Sequence, residues 1–287
     1  MAQIINTNMM SLNAQRNLSG TQGMLAQAVQ RLSTGLRVNS AKDDAAGLAI
    51  AERMHTQVRG MNVAIRNAND AISLAQTAEG ALSKISDMGQ RMRELAVQAA
   101  NATNSDTDRE ALNVEYLELA KEIKRTLSGT KFNEKELFGT NAAALTFQIG
   151  AGNDQNTDRI EITLENMYNK DDIKNVVGEN LTTGPEDNKT LKTQASAQTS
   201  IENINKMLTV VNSARATFGA VQNRFEAVIN TLQVNAENQS AARSRIMDAD
   251  FSKESAALTR SQVLQQAGTA MLSQANSLPN NALSLLR

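Results

Sequence analysis

"SQVLQQAGTAMLSQANSLPNNALSLLR" (261–287) carries Leu264, Met271, Leu278 and Leu285 at intervals of seven, with Gly268, Ala275 and Ala282 four residues after the first three. A seven-residue apolar repeat marks a helix that lays one narrow stripe against another helix, and small companions let the two backbones approach. The opposite end of the chain has a matching stretch. "NLSGTQGMLAQAVQRLSTGL" (17–36) repeats Leu18, Leu25 and Leu32 at the same interval, with Val29 and Leu36 beside them. Neither segment is wide enough to bury its own face. The reading therefore pairs the first helix, about Ile4 to Leu36, with the last. Any seam area left over must be buried between copies of the chain.

Working inward, Gly35 and Asn39 stop the first helix, and Ser40 with Asp43 reads as a capping box for the next. That second helix is expected from about Asp44 to Asn101. Its apolar stripes are Val58–Ile65–Ile72, then Met61–Ala68–Ala75–Leu82, then Ile85–Met92–Ala99. The drift between stripes suits a long, gently supercoiling helix, a rod of roughly 85 Å at 1.5 Å per residue. Gly60, Gly80 and Gly89 each disfavour helix by about 1 kcal/mol against Ala and allow a kink. "NATNSDTDRE" (101–110) breaks the pattern, and Thr107 with Glu110 reads as a second capping box. Leu112, Tyr116, Leu119, Ile123 and Leu127 form a third amphipathic helix ending at Gly129.

The period changes to two at Leu145, Phe147 and Ile149, and again at Ile160, Ile162 and Leu164. With "GAGNDQNTDR" (150–159) between them, these read as a β-hairpin. Residues 165–195, with Gly178, Gly184 and Pro185, read as a surface insertion or irregular loop. Helix returns with Ile204, Val211, Phe218, Phe225 and Leu232 every seven residues. Ile201, Leu208 and Ile229 fill the alternate positions, and Arg215 and Gln222 are polar exceptions. The fold class is mainly α: a long antiparallel helical bundle or coiled-coil rod with one β-hairpin and paired terminal helices.

Composition limits what such a chain can do. Aromatics are 3% of 287 residues, with no Trp, so the core must be built from Ala, Leu, Ile, Val and Met in thin layers. A net charge of −1 leaves no electrostatic footprint for nucleic acid or an anionic membrane. No stretch approaches the ~18 apolar residues of a membrane span, and the start of the chain has no secretory signal pattern. Cysteine is absent and His55 is the only histidine, so multi-His metal sites and nucleophilic triads have few possible parts. Asp43 and Asp44 lack a partner His or third carboxylate. They read as acidic residues at a helix N-terminus, favoured by its dipole. The Gly-, Asn- and Asp-rich loop lacks EF-hand spacing and reads as a turn. The many methionines read as adaptable packing. No cofactor, metal or catalytic residue is expected, and the chain is not an enzyme.

Four segments are more specific. "INTNMMSLNAQRNL" (5–18), "RLSTGLRVNSAKDDAAGLAIAERM" (31–54), "QRMRELAVQAANATNSDTDR" (90–109) and "SRIMDADFSKESAALTRSQVLQQAGTAMLSQANSLPNNALSLLR" (244–287) closely resemble bacterial flagellin. The likeness covers about 1–165 and 196–287. It implies a subunit that polymerises into a hollow helical filament for swimming, with paired terminal helices lining the channel. It divides the chain into an N-terminal inner-core helix and connector (1–43), outer-core helices plus hairpin (44–165), a short variable surface segment (166–195), a C-terminal outer-core helix (196–243) and a C-terminal inner-core helix (244–287). The roughly thirty residues at 166–195 leave no room for a large outer domain, so the chain resembles a minimal flagellin.

The same likeness implies partners. They are further copies of the chain, the flagellar cap and hook–filament junction proteins, and an export chaperone at the C-terminal segment. Export would run unfolded through the flagellar export apparatus to the cell exterior, with no nucleic acid bound and no membrane insertion. Toll-like receptor 5 of hosts is implied at Arg91, Leu95, Gln98 and Glu115. Arg91, Leu95 and Gln98 stand at i, i+4 and i+7, so they read as one helix face. Burial of that face against a neighbouring subunit is the alternative, and both hold if assembly hides what the monomer exposes. Hook–filament junction proteins share the terminal helices. The uninterrupted ending and the "QRMRELAVQAAN" segment (90–101) resemble the filament subunit more.

Overall fold

The computed structural model describes residues 7–139, 142–178 and 190–284, with side chains in the last helix as far as Ser277. Six helices dominate: α1 (Met9–Thr34), α2 (Ala45–Ala99), α3 (Asp106–Gly129), α4 (Asp171–Val177), α5 (Gln194–Met247) and α6 (Phe251–Ser284). Strands β1 (Lys131–Phe132) and β2 (Lys135–Glu136) form one small antiparallel hairpin, and β3 (Leu145–Gln148) and β4 (Arg159–Ile162) another. The chain divides into two compact units, residues 1–58 with 237–287 and residues 59–236.

In the first unit α1 and α6 run antiparallel. The start of α1 meets the far part of α6, and the end of α1 meets the beginning of α6. Asn8 Nδ2 donates to the Ala275 carbonyl (2.7 Å), Ser11 Oγ donates to Asn276 Oδ1 (2.7 Å), and Arg31 pairs with Glu254 (3.1 Å). Gly35 ends α1 in the left-handed region at φ 71°, where glycine carries no steric penalty. The chain then meets the break between α5 and α6. Arg37 N–H donates to the Met247 carbonyl (2.6 Å), and Ala249 N–H to the Gly35 carbonyl (2.9 Å). Val38, Ala51 and Met247 form a small core beside this junction.

The start of α2 differs from the expected Ser40–Asp43 capping box. Asp44 is the cap: its carboxylate accepts from Gly47 N–H (2.8 Å). Asp43 instead closes the preceding turn, accepting from the backbone of Asn39 and Ser40. Those backbone bonds, with help from the Ser40 hydroxyl, hold its carboxyl below the usual range. The second box also shifts by two residues. Ser105 and Asp108, not Thr107 and Glu110, exchange side-chain and backbone bonds at the start of α3.

The second unit is built on α2, α3 and α5. The Met61–Ala68–Ala75–Leu82 and Ile85–Met92–Ala99 stripes are buried, as are Ile204, Val211, Phe218, Phe225 and Leu232 on α5. Tyr116, Ile123 and Leu127 of α3 complete the core. Phe147 of β3 meets Phe225 edge-to-face at 5.8 Å, and Phe138 meets Phe218 at 6.2 Å, so the few aromatics are spent tying loops and hairpin to α5. The glycines of α2 divide. Gly60 lies against Ala151 of the β3–β4 loop, where an added Cβ would stand 2.7 Å from that residue's, and Gly89 lies against Met207 and Leu208. α2 runs through Gly60, Gly80 and Gly89 as one continuous helix.

Two features escaped the reading of 130–195. Hairpin β1–β2 turns on Asn133 and Glu134, both at positive φ (47° and 65°), without the usual Asn-Gly signal. The stretch after β4 is not all irregular. It contains a 3₁₀ turn (Met167–Asn169) and α4, whose Ile173, Val176 and Val177 enter the core. Gly184 and Pro185 lie outside the described residues.

Candidate assembly surface and receptor patch

The α1–α6 pair buries little that is large. On α1 the buried residues are Ser11, Thr21 and Ala28, and among the described side chains of α6 they are Ser261 and Ala275. Small side chains let the helices approach. Leu18 Cδ1 stands 3.2 Å from where a Cβ on Gly268 would lie. The predicted seam residues Leu18, Leu25 and Leu32 are only half-buried, while Leu264 and Met271 are 44% and 65% exposed. The side chain of Leu278 and all of Leu285 lie outside the described residues.

An open groove of about 480 Å³ runs between the two helices, lined by Met10, Leu18, Leu264, Gly268 and Met271. Met9, Met10, Leu12, Met24 and Val29 on α1, and Phe251, Val263, Leu264 and Met271 on α6, are exposed large hydrophobics. Among the described residues, those in the second unit are all valines: Val63, Val97, Val114 and Val234. Heptad counting alone missed Met9, Leu12, Met24, Phe251 and Val263. The available signal was a helix apolar on more than one face, which needs partners on more than one side.

In the second unit Arg91 and Glu115 meet across α2 and α3. Arg91 Nε donates to Glu115 at 2.8 Å and its Nη1 to Glu94 at 3.0 Å. The Glu115 hydrogen bond, then that of Glu94, raises the Arg91 guanidinium above its ordinary value. Gln98 is exposed on the next turns of α2. Leu95 is not part of this surface. It is 1% exposed and belongs to the core, so its side chain supports the patch from beneath. The i, i+4, i+7 spacing placed it with Arg91 and Gln98, but a residue at the border of a buried stripe rotates inward when α3 packs over it.

Two further polar groups have structural partners. Arg109, buried, donates to the carbonyls of Ala99 (3.1 Å) and Asn101 (3.2 Å) and so closes the open end of α2. Asp158 accepts from Asp154 N–H (3.0 Å), inside the β3–β4 loop. His55 is half-buried on α2. Among the described residues no three His, Cys, Asp or Glu come together as a metal site, and no helix is long and apolar enough to cross a membrane.

Comparison with known proteins agrees with this architecture. Residues 5–143 match the bacterial flagellin N-terminal helical region and residues 201–286 the C-terminal helical region. A flagellin of Halalkalibacterium halodurans is 42% identical over 284 residues, 99% of this chain and 100% of that one. Flagellin FlaB1 of Treponema pallidum is 39% identical, again over 99% and 100%. The crystal structure of Bacillus cereus flagellin is similar at a TM-score of 0.48 and 33% identity, covering 62% of this chain and 94% of that one. A putative flagellar hook-associated protein of Vibrio parahaemolyticus shares the fold at a TM-score of 0.58 and 14% identity, covering 72% and 100%. Full-length identity above 40% with matching helical ends places this chain in the bacterial flagellin family, the non-enzymatic structural subunits of the flagellar filament.

Proposed function

We propose that α1 and α6 are the principal polymerisation surface, and that copies of the chain bury there the apolar side chains each leaves exposed. The observation that carries this is the inversion of burial on the pair: small and polar residues inside, Met, Leu, Val and Phe outside. Contiguous exposed apolar surface is disfavoured on a monomer and marks an interaction site. The segment 1–43 with 244–287 then acts as the inner layer of the filament, and 44–165 with 196–243 as the layer around it. Folding of the ends is completed by assembly. Export unfolded through the flagellar apparatus to the cell exterior fits a chain with no cysteine. An export chaperone would cover the C-terminal seam beforehand, and cap and hook–filament junction proteins would meet the same surface at the two filament ends.

Seeded elongation watched by electron microscopy tests this. Purified full-length chain extends seeds; chain lacking 264–287 does not, while its second unit keeps its helical signal. Elongation by the truncated chain would remove α6 from the assembly surface. A hook–filament junction protein, the other reading, would bind seed ends without extending them.

A second surface supports recognition by Toll-like receptor 5. The exposed Arg91–Glu115 pair with Gln98 offers a fixed guanidinium on two rigid helices, and arginine is a common interface anchor. Arg91→Ala lowers receptor signalling by monomer about tenfold, the size of a modest hot spot. Unchanged signalling sinks the assignment.

A further inference from the structure

We propose that Met9, Met10, Met24 and Met271 are sulfoxidation sites through which peroxides arrest filament growth; this rests on the reading of α1 and α6 as the polymerisation surface. The chain has no Cys and no Trp, so its twelve methionines are the side chains most open to two-electron oxidants. They are not spread evenly. Met9, Met10, Met24 and Met271 are 61%, 56%, 52% and 65% exposed, and all lie on α1 or α6. Met61, Met92, Met167, Met207 and Met247 are at most 7% exposed. Met54 and Met88 are half-buried on α2. One polypeptide thus holds both targets and internal controls.

Two of the exposed thioethers, Met10 and Met271, line the same groove between the helices. The chemistry is balanced with hydrogen peroxide as the oxidant. A sulfur lone pair attacks one peroxide oxygen, an S–O bond forms as the O–O bond breaks, and the departing hydroxide takes the remaining proton as water. Sulfur is oxidised by two electrons and peroxide is reduced. The product is a polar, hydrogen-bond-accepting sulfoxide on a flexible apolar side chain. On a free monomer water solvates it. In a polymer the sulfoxide is moved from water into a mainly apolar interface, which is unfavourable. Oxidation therefore acts on association and leaves the second unit folded.

The experiment treats monomer with hydrogen peroxide, maps oxygen addition by peptide mass spectrometry, and measures seeded elongation. Oxidation is expected at the four named residues well before the five buried ones, with elongation falling about tenfold or more, the scale set by burying unpaired polar groups. The fourfold variant Met9→Leu, Met10→Leu, Met24→Leu and Met271→Leu, which keeps side-chain volume, elongates equally before and after peroxide. Reduction of oxidised wild-type chain by methionine sulfoxide reductase restores elongation without any substitution, so the test stands even if the variant assembles poorly. Equal oxidation of buried and exposed methionines overturns the proposal, as does undiminished elongation of chain oxidised at all four. If untreated chain fails to extend seeds, the assembly reading falls and takes this with it. That failure differs from normal growth that peroxide leaves unchanged.

Discussion

Arg109 shows how much one side chain carries where a helix ends inside the protein. The last carbonyls of α2 have no partner within the helix, and the guanidinium of Arg109 reaches back from α3 to satisfy that of Ala99 and the Asn101 carbonyl just beyond it, while pairing with Asp106 at 3.1 Å. Arg109→Leu keeps the bulk and removes the donors. It should lower stability by about 1.5–3 kcal/mol, the range for a charge-assisted bond to a buried acceptor, read as a shifted denaturant midpoint at unchanged slope. Tyr116 predicts a pH effect. Burial pushes its phenol up to about 12, with the Ser200 hydroxyl acting slightly the other way. An unfolded tyrosine ionises near ~10. Between these values the unfolded chain holds fewer protons than the folded one, so stability falls as pH rises through that window. Tyr116→Phe should abolish a loss of about 1 kcal/mol at about pH 11, measured as the difference between two chemical melts. Tyr116 counts in the sequence as one more apolar stripe residue, and nothing in the spacing singles out Arg109.

At the scale of elements, α2 tests whether a glycine is a weakness or a contact. Its periodicity marked Gly60, Gly80 and Gly89 as equal weak points. The packing separates them. Gly80 has open space around its Cα, whereas Gly60 has Ala151 against it. Gly80→Ala should stabilise by up to about 1 kcal/mol through helix propensity alone. Gly60→Ala gains the same propensity but drives its methyl into the β3–β4 loop, an overpacking cost of about 1–3 kcal/mol that leaves the variant level or less stable. Thermal melts of the two variants, compared with wild type, should diverge in sign or at least in size. The β3–β4 hairpin was legible because period-two alternation survives burial on one face. Hairpin β1–β2 was not, because two-residue strands carry no period and Glu134 occupies a position where glycine is the usual signal. α4 was hidden for a related reason: seven residues make too short a run to separate a buried helix from a polar loop.

For the whole molecule the contrast lies between the two compact units taken one at a time. Residues 59–236 enclose a continuous core of fully buried side chains. Among the described residues, the pair α1 and α6 encloses very few. Local stability follows burial. In monomer, amides of residues 9–34 and 251–277 should exchange with deuterium much faster than those of 68–99 and 112–127. On polymerisation the slow class should extend to both ends. Slow exchange at the ends in monomer would contradict the view that their stability resides in the filament.

The sequence alone determined the helical class, the antiparallel pairing of the ends and the family. Class and pairing rest on seven-residue seams that a single helix displays without its neighbours, and the family on long shared segments. Tertiary structure decided which side of each seam turns inward. Leu264 and Met271 mark the stripe, but Gly268, Ala275 and Ser261 make the contact, because two helices this close admit only small side chains between them. It also decided that Leu95 supports the Arg91–Glu115 patch from below, and that Asp43 and Asp44 divide a turn and a cap between them. Periodicity names a face; what packs on that face, and how near it comes, is a property of the partner helix.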